Sequence, residues 1–175
     1  ERAKKRGLIH KTIRALVIGI PNVGKSSFIN SLARRSVAKT GGIPGVTKTK
    51  QWIKVNKDFE LLDTPGILWH KFDDDTIAYN LSYTGAIKDE ILDINQLTKK
   101  FILKVMKEFP DNLFNRYNIP QSDEYSVDDI ISLIGKKRGC FLTNGEIDIN
   151  RVSSTVLEDF RNGRMGRITL EKPNL

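Results

Sequence analysis

Gly19-Ile20-Pro21-Asn22-Val23-Gly24-Lys25-Ser26 fits G-x-x-x-x-G-K-[ST], the pattern of a phosphate-binding P-loop. The residues before it, Ile13 to Ile20, include Ala-Leu-Val-Ile-Gly-Ile and read as a buried strand. Those after it, Lys25 to Arg35, carry Phe28, Ile29 and Leu32 at helical spacing. Strand, glycine-bearing loop and helix in that order aim a row of backbone N–H groups at one point. That point is also the positive end of a helix dipole, so it binds phosphate. On this pattern Asn22, Val23, Gly24, Lys25, Ser26 and Ser27 surround the phosphates of a nucleotide. Lys25 reaches the β- and γ-phosphates, and the Ser26 hydroxyl holds Mg²⁺. A chance match in a chain with 13 glycines is the competing reading, and the flanking strand and helix argue against it.

A phosphate loop alone does not separate GTPases from ATPases or kinases; a carboxylate and a switch are needed as well. Phe59-Glu60-Leu61-Leu62-Asp63-Thr64-Pro65-Gly66 supplies both. A short apolar strand ends in Asp63, placed for the magnesium shell, and the Gly66 N–H lies where a γ-phosphate would be sensed. The alternative is an ordinary strand and turn with Pro-Gly punctuation. Between the two motifs lies Gly41-Gly42-Ile43-Pro44-Gly45-Val46-Thr47, too rich in glycine for a helix or a central strand. A threonine in such a loop coordinates Mg²⁺ when a γ-phosphate is present and releases it afterwards. Thr47 is the candidate, with Thr40 and Thr49 as weaker ones. Lys25 and Thr47 are thus the expected catalytic groups, and Ser26, Thr47 and Asp63 the expected metal ligands.

In this order, G-x-P-N-V-G-K-S, P-G-V-T and D-T-P-G resemble the G1, G2 and G3 motifs of translation-factor-related GTPases. The residue after Gly66 is Ile67, where Ras-like enzymes carry a glutamine that orients water. Isoleucine has neither donor nor acceptor, and the chain resembles the GTPases with a hydrophobic residue there. Asn22 resembles the asparagine with which several of these enzymes hold K⁺; a turn-stabilising Asx residue is the other reading. Downstream of Asp63 no N/T-K-x-D reads a guanine base.

The segments Arg14 through Leu32, Ala38 through Gly41, Gln51-Trp52, Leu61 through Trp69, Thr84 through Asp89 and Gly135 through Cys140 are similar to the YlqF-type circularly permuted GTPases. That resemblance implies an α/β fold: a partial P-loop NTPase (G-domain) sheet, circularly permuted, followed by a small all-α C-terminal domain. It implies the motif order G4-G5-G1-G2-G3, with the base-reading part upstream of Glu1. It also implies GTP and GDP as ligands, and the large ribosomal subunit or its rRNA as partner.

Net charge is +8 and unevenly distributed. Residues 1–50 carry 12 Lys or Arg and one acid, residues 51–96 carry four and nine, and residues 97–175 carry 13 and 11, giving +11, −5 and +2. The surplus in Arg2, Lys4, Lys5, Arg6, Lys11 and Arg14 suits an RNA backbone; a solvated basic linker is the alternative. No window approaches 18 apolar residues, so no membrane partner is expected, and Glu1 to Arg6 lacks an apolar signal core. Cys140 is the single cysteine, which forbids an internal disulfide and suits a reducing, cytoplasmic compartment. His10 and His70 have no Cys or His partners at ligand spacing.

After Asp73-Asp74-Asp75 the pattern turns helical: Ile77 and Leu81 begin an amphipathic stretch that Ile87, Ile91 and Leu92 continue. Leu97, Phe101, Ile102, Val105, Met106 and Phe109 recur at three to four residues up to Pro110. Further short helices are expected over Leu113 to Tyr117, Val127 to Ile134 and Val152 to Phe160, the second capped by Ser126-Val127-Asp128-Asp129. Two domains are therefore expected, residues 1–93 and 94–175. Lys136, Lys137, Arg138, Arg161, Arg164 and Arg167, clustered with glycines and without interleaved aromatics, suit phosphate contacts with RNA better than base reading. Solvated helix ends are the alternative. The functional expectation is a GTP-hydrolysing assembly switch for the large (50S) ribosomal subunit. Another RNA-directed P-loop GTPase, or an RNA-binding module with a non-catalytic P-loop, are the other readings.

Overall fold

The computed structural model describes residues 12–38, 41, 47–68, 74–89 and 93–172. The basic residues Arg2 to Lys11, His10, Lys39, Thr40, residues 42–46, Trp69, His70, Ile91 and Leu92 lie outside the described residues. Two compact units result: Glu1–Phe72 with Gly85–Ile87, and Asp73–Thr84 with Lys88–Leu175.

The first unit is a three-stranded sheet with one helix. Strands β1 (Ile13–Val17), β2 (Gln51–Asn56) and β3 (Phe59–Asp63) stand in the order β1-β3-β2, and α1 (Lys25–Ala33) follows β1. β1 runs parallel to β3, with Ile13 opposite Phe59 and Val17 opposite Asp63. A parallel pair needs a crossover, and α1 lies within it. β2 and β3 form a hairpin: Asn56 accepts from the Asp58 N–H at 2.8 Å, and a register shift falls between Lys54 and Asn56. Ile29 of α1 packs with Ala38, Ile53 and Leu61 as the core. The pattern predicts a buried strand from Ile13 to Ile20; the observed strand stops at Val17 and is largely exposed at Ile13 and Leu16. Among the described residues β3 is its only neighbour, so one long edge of β1 carries no sheet partner.

The second unit holds α2 (Asp75–Tyr83), α3 (Ile94–Glu108), α4 (Pro110–Tyr117), α5 (Val127–Arg138) and α6 (Ile149–Arg161). The expected domain boundary between residues 93 and 94 is displaced by α2. The Tyr83 ring packs tilted against Phe101 of α3 at 5.0 Å, and Phe101 meets Phe160 of α6 at 4.8 Å, so α2 belongs to the helical core. The helix expected to run from Ile77 towards Leu92 stops at Tyr83, because Gly85 takes the left-handed φ of 73° just beyond Thr84. Local chemistry sets the other ends. Asp74, Asp93 and Asp148 accept amides of the first turns of α2, α3 and α6. Ser126 and Asp129 form a reciprocal capping box at α5. Pro110 does more than end α3: it opens α4, where its missing N–H costs nothing. No helix among the described residues is long and apolar enough to cross a membrane.

Candidate functional site

Gly24, with a left-handed φ of 87°, ends the loop and caps α1 without any side-chain bond. The first intrahelical bond runs from the Phe28 N–H to the Gly24 carbonyl at 2.8 Å. The amides of Lys25, Ser26 and Ser27 therefore precede the hydrogen-bonded ladder and remain directed outward from the helix N-terminus. Asn22 also adopts a positive φ, 64°, a conformation asparagine tolerates better than most residues. Its Nδ2 donates to the Gly85 carbonyl at 3.1 Å. Val23 in the loop and Ser27 in the first turn of α1 are exposed.

Lys25 Nζ donates to the Ile20 carbonyl at 2.7 Å, folding the ammonium back over its own loop. Burial lowers its pKa from the ordinary lysine value, and the Asp63 carboxylate pushes it back up. Asp63, at the end of β3, is fully buried; its Oδ2 accepts from Ser26 Oγ at 3.3 Å. Ser26 Oγ lies 3.2 Å from Thr47 Oγ1. Thus two hydroxyls and one carboxylate, from the phosphate loop, the glycine-rich stretch and β3, converge.

Asp63 Oδ1 is buried without a hydrogen-bond partner. A buried carboxylate oxygen in that state carries a desolvation cost that a cation would remove. With the hydroxyls of Ser26 and Thr47 beside it, the donor set is all oxygen and contains one protein carboxylate. Mg²⁺ in phosphate sites is held that way, by one or two carboxylates with phosphate and water completing the octahedron. The residues present fit the ion.

The segment after Asp63 is pinned to the phosphate loop. Thr64 Oγ1 donates to the Val17 carbonyl at 2.8 Å, and the Ile67 N–H donates to the Gly19 carbonyl at 3.2 Å. Between them Gly66 presses on Pro21 so closely that an added Cβ would sit 2.5 Å from the proline N and Cα. Glycine is required here by close approach, since backbone atoms cannot move aside as a flexible side chain can. Ile67 is 63% exposed and brings no polar atom.

In the helical unit the six basic candidates separate. Lys136 and Lys137 are exposed at the end of α5, where positive charge complements the helix dipole, and Arg167 is exposed beyond α6. Arg161 is turned inward: it donates to both oxygens of Asp89 at 2.7 and 2.8 Å and to the carbonyls of Tyr83 and Ser82 at 3.0 and 2.9 Å. A guanidinium so occupied holds the chain together and is not offered to RNA. Arg138 and Arg164 approach Asp159, at 3.2 and 3.3 Å, and retain exposed surface. Arg14 of the first unit pairs with Glu60 at 3.0 Å and lies 5.1 Å over the Trp52 ring. Sequence spacing gave no sign of the Gly66–Pro21 approach, the Thr64 pin or the Gly85 acceptor. Each joins residues far apart in the chain, with only the glycines and the threonine of D-T-P-G as hints.

The family profile described as 50S ribosome-binding GTPase matches residues 14–136. Among curated relatives, ribosome biogenesis GTPase A of Bacillus cereus is 47% identical over 168 residues, covering 96% of this chain and 56% of the relative. The protein of the same description from Bacillus licheniformis is 42% identical over 173 residues, 99% of this chain and 61% of the relative. The chain thus spans little more than half the length of these curated relatives. The GDP-bound structure of TM YlqF is similar with a TM-score of 0.62 and 25% identity, over 98% of this chain and 65% of that one.

Proposed function

Because the chain belongs to the family of 50S ribosome-binding GTPases, we propose that the protein carrying it is a cytoplasmic assembly switch that binds GTP or GDP with Mg²⁺, hydrolyses GTP and acts on the large ribosomal subunit. The observation that carries this reading is the convergence of Ser26, Thr47 and the buried, half-satisfied Asp63 beside Lys25. The open amides at the start of α1 and the Lys25 ammonium take the phosphates. Ser26 and Asp63 hold the metal, which supplies charge neutralisation of the phosphate oxygens when bound. Thr47 and the Gly66 N–H sense whether the terminal phosphoryl is attached. Asn22, its amide orientation set by Gly85, is the residue for K⁺. Guanine choice comes from the family's base-reading motif, which this chain does not contain.

Ile67 cannot orient water, so turnover of the isolated protein is expected at or below ~10⁻² s⁻¹, the rate scale without outside help. The ribosomal particle, or a residue of the protein outside this chain, then supplies the missing group. Lys136, Lys137, Arg138, Arg164 and Arg167 are the proposed RNA contacts of the helical unit. Calorimetry with GTP and GDP, with and without Mg²⁺, tests the switch, and phosphate release with and without large subunits tests the partner. Absence of nucleotide binding, or equal turnover with and without particles, would overturn the corresponding half.

Two substitutions examine the loops. Thr47→Ala should leave GDP affinity within about twofold while slowing Mg²⁺-dependent turnover at least about tenfold, since only the triphosphate state uses that hydroxyl. Equal losses for GDP and GTP would remove Thr47 from the switch. Gly66→Ala pushes a methyl group into the Pro21 backbone, displacing the phosphate loop by a fraction of an ångström or more. Turnover should drop between about tenfold and a hundredfold, because misplacement on this scale is that costly, and the melting temperature should fall as well, because the clash is with backbone.

A further inference from the structure

The stretch Thr84-Gly85-Ala86-Ile87-Lys88-Asp89 carries part of the resemblance to the permuted GTPases, yet neither nucleotide nor metal binding accounts for it. It leaves α2 at Thr84, and Arg161 grips its far end, Asp89, within the helical unit. Between these ends Gly85–Ile87 group instead with the phosphate-loop unit. Gly85 and Ala86 are buried there, Ala86 at 2% exposure. A connecting segment gives up its hydration only where something receives it, and its buried carbonyls need hydrogen-bond partners. The Gly85 carbonyl has one, Asn22 Nδ2 of the phosphate loop at 3.1 Å.

The same bond meets a need on the loop side. Asn22 holds a φ of 64° and Gly24 one of 87°, so the backbone is left-handed twice just before α1. A residue other than glycine stays in that region when its surroundings keep it there. Pro21 and Asn22, adjacent in the chain, are held by two separate distant segments. Gly66 lies against the Pro21 backbone, and Gly85 accepts from the Asn22 side chain. A carbonyl only accepts, so the amide nitrogen of Asn22 faces Gly85 and its oxygen is turned away. The donor and acceptor duties of Asn22 are therefore separable.

We propose that Gly85–Ile87 is a strap belonging to the nucleotide site, and that Asn22 is a positioning residue that holds the phosphate loop in shape through the Gly85 carbonyl. The inference rests on the reading of that loop as a nucleotide site, and it is independent of any K⁺ held by the Asn22 oxygen. The strap acts on the nucleotide only through the loop. A loop fixed before the nucleotide arrives loses less conformational freedom on binding, so the bond strengthens binding of GDP and GTP alike. In this it differs from Thr47, which serves the triphosphate state.

Two variants of the whole protein separate the duties. Asn22→Asp keeps the size, an oxygen for a cation and the tolerance of positive φ, but loses the N–H donor. Asn22→Gly keeps the backbone freedom alone. Position 22 is exposed, so neither change opens a core. In nucleotide-free ¹⁵N-labelled protein the Ala86 amide, which shares a peptide group with the Gly85 carbonyl, should shift in both variants, together with the amides of Lys25 and Ser26. In calorimetry with Mg²⁺ both variants should bind GDP and GTP about tenfold more weakly, the scale of one hydrogen bond, and by the same factor in Na⁺ as in K⁺. An Ala86 amide that stays fixed, or a GDP affinity of Asn22→Asp within about twofold of the parent, overturns the strap. A loss in Asn22→Gly that Asn22→Asp recovers, present in K⁺ and absent in Na⁺, assigns Asn22 to the cation alone and overturns it too. Failure of the parent to bind either nucleotide overturns the nucleotide switch and this role with it. Parental binding with unaltered variants sinks the strap and spares the switch.

Discussion

Lys25→Ala should weaken GTP binding at least about a hundredfold, equivalent to about 2.7 kcal/mol, in calorimetric titrations with Mg²⁺. The reason is geometric as much as electrostatic. Lys25 Nζ lies 2.7 Å from the Ile20 carbonyl, inside the turn whose amides face the phosphate position. On binding, that one acceptor is exchanged for phosphate oxygens, and a charge-assisted bond of this kind is about twice as strong as a neutral one. Alanine removes the cation and, with it, the attraction between Lys25 and the Asp63 carboxylate. Arginine should not restore binding, because its planar fork cannot occupy the point position of an ammonium inside a tight turn. The fold should survive both changes, since Lys25 contributes nothing to the core of Ile29, Ala38, Ile53 and Leu61. An affinity within threefold of the parent would refute the assignment of Lys25.

Asp159→Ala is the expected disruption of the helical unit, at about 3 to 5 kcal/mol, the range for breaking a buried ion pair from one side. Arg116, Arg138 and Arg164 would be left facing one another without the carboxylate that binds all three. Thermal unfolding should move down by about 10 °C or more for a unit of this size. Acid unfolding gives an independent reading. Burial alone would raise the pKa of Asp159, but hydrogen bonds from Arg116 and Arg164 outweigh it and hold the carboxyl below its ordinary 3.8. A folded pKa below the unfolded one means that the unfolded chain binds more protons in between. The contribution is then complete above about pH 4 and disappears as the pH falls through the folded pKa. Asp159→Asn should flatten this acid limb, so parallel limbs for parent and variant would show that the carboxylate charge contributes nothing.

Much of this was legible along the chain, and the reason is range. The phosphate loop, the strand ending in Asp63 and the Ser126 cap are each defined within a few residues, where turn geometry and helix capping act. Ile67 is equally legible, because its lack of donors is a property of the side chain alone. The limits show in β1 and α2. An apolar run predicts burial on the assumption that neighbours exist on both sides, and among the described residues β1 has only β3. Alpha2 follows the acidic run like a continuation of the first unit, yet its Tyr83 packs on Phe101 of the helical core.

Arg161 and Arg164 illustrate the same boundary within one cluster. Three residues apart in a glycine-containing basic stretch, they look alike as RNA contacts. Their fates differ because Arg161 meets Asp89 and two carbonyls of the α2 end, more than 70 residues earlier, while Arg164 keeps exposed surface beside Asp159. The sequence by itself determined the shape of the phosphate loop, since successive backbone amides, one lysine and one hydroxyl are set by local order. Tertiary structure alone decided which cations are free for a partner and where the units divide. Those outcomes depend on acceptors brought from distant parts of the chain, and no short-range pattern records where a distant acceptor will come to lie.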